Sequence, residues 1–167
     1  MDYFALFSLP VSLRVDTSKV LMTYYKLCQQ YHPDRMGAGM EDEALRMSTE
    51  INRAKKMLDQ PLLRLEYILQ QQGLLPEDEK FQLPPLFLSD MMDINEALMD
   101  ARLEGDNEKL ATLENEIQAL DAKMLAPVAH YFNQEELQAD DKAWQQLKLY
   151  YYQHKYLMRL VSPNHDM

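Results

Sequence analysis

Apolar residues recur along this chain every three or four positions. Val20, Tyr24, Leu27 and Tyr31 stand at i, i+4, i+7 and i+11, one stripe of a helix with about 3.6 residues per turn. Asp16 or Thr17 can cap the start of that helix, and Pro33 stops it. Ahead of it lies a short apolar segment at residues 3–7, ended near Ser8 and Pro10. Beyond it, Gly37 and Gly39 keep a loop open, and a second long helix is expected over about 41–59. Ala44, Leu45, Ser48, Ile51, Ala54 and Leu58 are placed on one side of it. Pro61 suits the first turn of a third helix, which continues through Leu65, Ile68 and Leu69 to Gly73. The pattern is a short helix, two long helices forming a hairpin, and a closing helix.

The strongest break in this periodicity is Gly73, Pro76, the acidic run Glu77-Asp78-Glu79, and Pro84-Pro85. Glycine after an apolar-periodic stretch stops a helix, and prolines keep one from restarting. Residues 74–85 therefore read as a linker between modules at 1–73 and 86–167. The second module reads as three helices. The first covers about 86–102 and ends near Gly105. The second is capped by Asp106 or Asn107 and runs to about 131, with a bend expected at Pro127. The third is capped near Asn133, carries Glu135 and Glu136 where the helix dipole favours acids, and runs to about 161. Helices joined by short loops pack antiparallel, so the expectation is an all-α chain whose second module is a three-helix bundle.

Composition narrows the class further. Only 4 Gly and 8 Pro occur in 167 residues, and helix-favouring Leu, Met, Gln, Glu, Lys and Ala are abundant. No apolar run approaches the ~20 residues of a membrane span. The first residues carry an acid and no basic leader, so no signal peptide is expected. A lone Cys28 rules out an internal disulfide or a cysteine-built zinc site; it reads as a small helix-face residue in a reducing, cytoplasmic setting.

The formal charge is −10, and it is unevenly spread. Residues 1–73 balance nine Lys/Arg against nine Asp/Glu, whereas residues 74–167 set eight against eighteen. So acidic a half repels nucleic acid and anionic membranes, which require a basic surface. It suits either a solvated face or a partner carrying basic residues.

The loop between the two long helices holds Tyr31-His32-Pro33-Asp34-Arg35. Taken alone, His-Pro-Asp there is a helix stop followed by a cap. A metal or acid–base site would need more ligands nearby, and His130, His154 and His165 all lie in the other module, where they read as surface residues. The surroundings carry a third reading. Asp2-Tyr3-Phe4 opens the chain, and Tyr25-Lys26-Leu27 leads into the tripeptide. Ile51-Asn52-Arg53-Ala54 and Leu58 follow, then Pro61, Arg64 and Tyr67. In that order these residues resemble a J-domain, whose fold is a helical hairpin with His-Pro-Asp at its connecting loop and flanking helices. The stretch Pro61-Leu62-Leu63-Arg64-Leu65-Glu66-Tyr67-Ile68-Leu69 with Gly73, and the acidic helical second half, are similar to the HscB family of co-chaperones in bacterial iron–sulfur cluster assembly.

That resemblance implies a binding protein rather than an enzyme, without metal or cofactor. It implies stimulation of the ATPase of the DnaK-class chaperone HscA through His32, Pro33 and Asp34, with Lys26 and Arg35 supplying charge beside the loop. J-domains usually carry Lys where this chain has Arg35, and the two are not interchangeable at a geometric contact. The helix before the loop has only Lys19 and Lys26 as cations, so weak, salt-sensitive binding is expected. The resemblance also implies that the second module holds the scaffold protein IscU through Leu88, Met92, Asp93, Glu96 and Asp100, with Leu149 or the adjacent Tyr150, Tyr151 and Tyr152 contributing from the last helix. Leu88 and Met92 equally suit the bundle core, although Ile94, Leu98 and Ala101 form a better core stripe. A J-domain co-chaperone with a different client is the alternative.

Overall fold

The computed structural model describes residues 1–37 and 39–161; His165 lies outside them. The chain is all-α, with no strand among the described residues. The elements are α1 (Tyr3–Leu6), α2 (Thr17–Gln30), α3 (Pro33–Met36), α4 (Glu41–Asp59), α5 (Pro61–Gln71), α6 (Pro85–Glu104), α7 (Asn107–Leu125), a 3-10 helix (Ala129–Asn133) and α8 (Asp141–Val161). They form two compact units. One is Met1–Leu75 together with Tyr131–Gln138; the other is Pro76–His130 together with the chain from Ala139 onward.

In the first unit, carboxylates start α1 and α2, the second as the sequence pattern places it. Asp2 accepts the N–H groups of Phe4 and Ala5, and Asp16 those of Ser18 and Lys19; each satisfies donors that a helix N-terminus leaves open. The inward stripe of α4 is Ala44, Met47, Ile51, Ala54, Met57 and Leu58, all buried. Leu45, expected in that stripe, is 69% exposed; one residue past Ala44 is about 100° around the helix, and Met47 takes the inward position. Phe4, Phe7, Leu13, Val20, Leu65, Ile68 and Leu69 complete the buried apolar set. Each such side chain contributes about 1.5–3 kcal/mol.

Polar bonds lock the pairing of these helices. The Tyr24 hydroxyl donates to Asn52 at 2.9 Å, joining α2 to α4. Tyr3 donates its hydroxyl to Glu50 at 3.0 Å and stacks on Tyr67 with ring centroids 5.0 Å apart. Arg64, 5% exposed, donates Nε and one terminal nitrogen to the Leu13 carbonyl at 3.2 and 2.9 Å, and the other to the Leu58 carbonyl. Burial lowers the affinity of its guanidinium for a proton.

The second unit begins before α6. Glu79 accepts from Lys148 at 2.5 Å and from the Tyr152 hydroxyl at 3.2 Å, and Phe81 stacks on Tyr152 at 4.3 Å. Leu83 packs against the core, and Pro85 opens α6. The segment 76–85 is thus bonded along α8. Gly105 ends α6 with φ 65°, a left-handed conformation that costs glycine little. Asp106 caps α7 by accepting the Lys109 N–H at 2.9 Å. The core comprises Phe87, Met91, Leu98, Ala101, Leu113, Ile117 and Leu157.

Two boundaries differ from the expected ones. The second helix was expected to bend at Pro127 and continue to about 131; instead α7 ends at Leu125 and a separate 3-10 helix follows. Proline has no N–H to continue the ladder, so the chain breaks there. The last helix was expected to start near Asn133, but α8 starts at Asp141, where Asp140 accepts the Ala143 N–H at 2.8 Å. Residues 134–138 bond elsewhere. Leu137 N–H donates to the Val11 carbonyl at 2.8 Å, and the buried Ser12 hydroxyl donates to the Gln134 carbonyl at 2.7 Å. Those partners outweigh the local preference of Glu135 and Glu136 for a helix N-terminus.

Candidate functional site

The His-Pro-Asp corner is a helix in its own right. Pro33 opens α3, a position where its missing N–H costs nothing. His32 caps that helix: its Nδ1 accepts the Asp34 N–H at 3.2 Å. In the neutral ring this places the proton on Nε2, which leaves one N–H for an outside acceptor. Gly37 ends α3 at φ 87°, a conformation unfavourable to other residues. The far side of the loop is held by Glu41, whose carboxylate accepts the Gly39 N–H at 3.0 Å. Backbone N–H groups of Glu41 itself and of Gly39 pull its carboxyl below its ordinary pKa.

The corner is displayed rather than buried. The side chains of His32 and Asp34 are 57% and 88% exposed, with 3.7 Å between Nδ1 and the carboxylate. Lys26 and Arg35 are exposed and form no ion pair with a described residue. His32, Asp34 and Arg35 line a shallow depression of about 370 Å³ with Tyr25, Cys28 and Gln29. Lys26 is not part of that lining; it lies on the neighbouring face of α2. Tyr25, quoted from the sequence only for the J-domain resemblance, and Gln29 were not named there as site residues. Their spacing would have found them, since they stand about two turns and one turn before His32. An exposed carboxylate, a fixed imidazole and two cations on a rigid corner can bind a protein surface. Among the described residues no cluster of His, Cys, Asp or Glu is arranged to hold a metal ion.

In the second unit the candidate client residues fall in three environments. Met92, Asp93, Glu96 and Asp100 are exposed on α6, with Met92 at 70%. Leu88 is half-buried and packs against the core. Of the better core candidates, Leu98 and Ala101 are buried and Ile94 packs beside them; Phe87 and Met91 supply the rest of the inward stripe. Leu149 lines a groove of about 340 Å³ with Phe87, Asp90, Leu120, Met124 and Val128. Asp90 and Met92 are about 160° apart around α6 at 3.6 residues per turn. The groove and the exposed Met92 therefore lie on different sides of that helix, with Asp93, Glu96 and Asp100 between them.

Tyr150 and Tyr151 are buried, and Tyr152 is occupied by Phe81 and Glu79. Burial first, then the charge of Asp121, pushes the Tyr150 hydroxyl up to about 12. His154 is not the surface residue expected: its side chain is 12% exposed, and Nδ1 lies 2.6 Å from Asp121. Two further residues escaped the sequence reading. Met99 and Leu103, 54% and 83% exposed, continue from Met92 at i+7 and i+11. No described helix is long and apolar enough to cross a membrane.

Comparison with known proteins places this architecture. Residues 83–162 match the family described as the HSCB C-terminal oligomerisation domain. The co-chaperone protein HscB homologues of Neisseria meningitidis serogroup C (strain FAM18) and of Neisseria gonorrhoeae (strain NCCP11945) are each 32% identical over 153 residues, covering 88% of this chain and 89% of theirs. The crystal structure of human co-chaperone protein HscB superposes with a TM-score of 0.80 at 26% identity, covering 98% of this chain and 80% of that one. Chaperone HscB from Vibrio cholerae superposes with a TM-score of 0.64 at 28% identity, covering 98% and 99%. A J-type corner on a helical hairpin, an acidic helical second unit and relatives that match across nearly the whole length lead to one assignment: the chain belongs to the HscB family of co-chaperones.

Proposed function

We propose that this protein stimulates the ATPase of HscA, a DnaK-class chaperone, and delivers the scaffold protein IscU to it in iron–sulfur cluster maturation. The carrying observation is the exposed, preorganised corner in which His32 caps its own one-turn helix. Asp34 accepts from an arginine or backbone N–H of the chaperone, His32 donates through Nε2, and Pro33 keeps the two in register. Lys26 and Arg35 draw an acidic chaperone surface toward the corner. Hydrolysis belongs to the partner; this chain contributes binding energy that favours the chaperone's hydrolysing state. The scaffold binds on α6 through Met92, Asp93, Glu96 and Asp100. Leu88 supports that face from below, and Leu149 offers a second apolar contact in its groove. The chain works in the cytoplasm, needs no cofactor and binds neither nucleic acid nor membrane.

The test is steady-state ATPase of HscA with IscU and either the parent protein or His32→Gln. The parent is expected to stimulate and the variant to fail, with unchanged helical content. Equal stimulation by both removes the corner from the mechanism. Stimulation that IscU does not enhance, together with recovery of other clients in a pull-down, selects a different client.

A further inference from the structure

α6 is apolar on two opposite sides. Phe87, Met91, Leu98 and Ala101 face the core. Met92, Met99 and Leu103 form a second row facing solvent. That row is about 16 Å long at 1.5 Å per residue. A helix that only covers a core carries polar residues on its outer side, so the outer row requires another explanation. One flank of the row carries Asp93, Glu96 and Asp100, none of which forms an ion pair with a described residue; Glu104, at the end of the flank, lies 3.9 Å from Lys109. The other flank carries Asn95 and Arg102.

We infer that Met99 and Leu103 extend the client-binding face of α6 toward its C-terminal end, where they take an apolar patch on the scaffold protein bordered by lysine or arginine. The inference rests on the proposed reading of α6 as the scaffold surface and adds two residues to it. Charge selects the occupant. An apolar row beside three unpaired carboxylates complements an apolar patch with a basic border. A second copy of this chain fits poorly. It brings a net charge of −10, and antiparallel two-fold pairing of α6 sets the acidic flank of one copy against that of the other.

The experiment is calorimetric titration of IscU into the full chain, comparing the parent, Met92→Gln and the double variant Met99→Gln/Leu103→Gln. Glutamine keeps helix propensity, and unchanged thermal unfolding verifies the fold. The double variant is expected to bind about tenfold more weakly or worse. Parent affinity in the double variant, with weakening in Met92→Gln, overturns the extension and leaves the α6 reading standing. Parent affinity in both variants, or no binding by the parent, overturns the α6 reading itself. Sedimentation supplies the last arm: a parent dimer that the double variant turns into a monomer assigns the row to self-association and overturns the inference.

Discussion

The two candidate surfaces are built on opposite plans. The chaperone surface of the first unit is a corner: one turn of helix, begun by His32 and Pro33 and ended by Gly37, fixes a few side chains by backbone geometry. The client surface of the second unit is a face: Met92, Glu96 and Asp100 stand along a regular helix whose backbone gives none of them a special place. Charge follows the same division. Tyr131–Gln138 belongs to the first unit and brings Glu135 and Glu136 with it. The first unit therefore carries a formal −2, and the second, with eight Lys/Arg against sixteen Asp/Glu, a formal −8. A corner is specified by which residue stands where, and one substitution ruins it. A face distributes its energy over several replaceable contacts.

That contrast can be broken most directly at Asp34. Asp34→Asn keeps the shape and removes the charge, and is expected to lower chaperone stimulation by on the order of tenfold or more. Glu96→Gln, a single change on the face, is expected to weaken scaffold binding by only about twofold to fivefold in a titration, the scale of one exposed charge pair. Equal losses from the two substitutions would erase the distinction between corner and face.

Stability sharpens the comparison from within. Arg64→Ala strands the carbonyls of Leu13 and Leu58 in the interior of the first unit. Urea unfolding of that unit is expected to show a loss of about 3 kcal/mol. In the second unit, the Tyr150 hydroxyl has a folded pKa of about 12, above the ordinary 10. Between those values the unfolded chain has released the proton and the folded one has not. Stability conferred by the neutral, buried phenol is therefore complete below pH 10 and is lost as pH rises toward 12, by at most about 2–3 kcal/mol. Tyr150→Phe should flatten that alkaline decline in thermal melts. The smallest expected effect is on salt: with Lys26 and Arg35 the charges beside the corner, raising ionic strength should weaken chaperone affinity by about 0–1 kcal/mol per pair. Affinity constant from low to high salt would remove those two residues from the encounter.

The corner was legible in the sequence because its signals are positional. Asp16 as cap, Pro33 as stop, and Gly37 after it each act through backbone geometry at one residue, and the structure puts α2 and the corner there; the single turn of α3 was not expected, because Pro33 was read only as the end of a helix. Helix α6 was legible as a helix with Leu98 and Ala101 inward and Met92 outward, but Phe87 and Met91 were missed from its inward stripe. Met91 and Met92 are adjacent methionines, one 1% and one 70% exposed, and nothing local distinguishes them; only the packing of α7 and α8 decides which turns inward. Leu45 was misplaced for the same reason. The start of α8 was illegible for a different one. Glu135 and Glu136 are good first-turn residues, and what keeps them out of a helix is bonding to Val11 and Ser12. His154 likewise showed no partner until the fold brought Asp121 within 2.6 Å.

The bond between Ser12 and Gln134 joins residues 122 apart in the chain, and this bears on how the protein is made. On the ribosome, the first 75 residues emerge with every helix of the hairpin already present. The segment that completes that unit emerges only after residue 138 has been added. At about 5–20 residues per second the interval is roughly 3–13 s, long against the millisecond scale on which small helical domains fold. The J-type hairpin is therefore born unfinished, with the Ser12 hydroxyl and the Val11 carbonyl lacking their native partners. It is sealed only when most of the second unit has been synthesised.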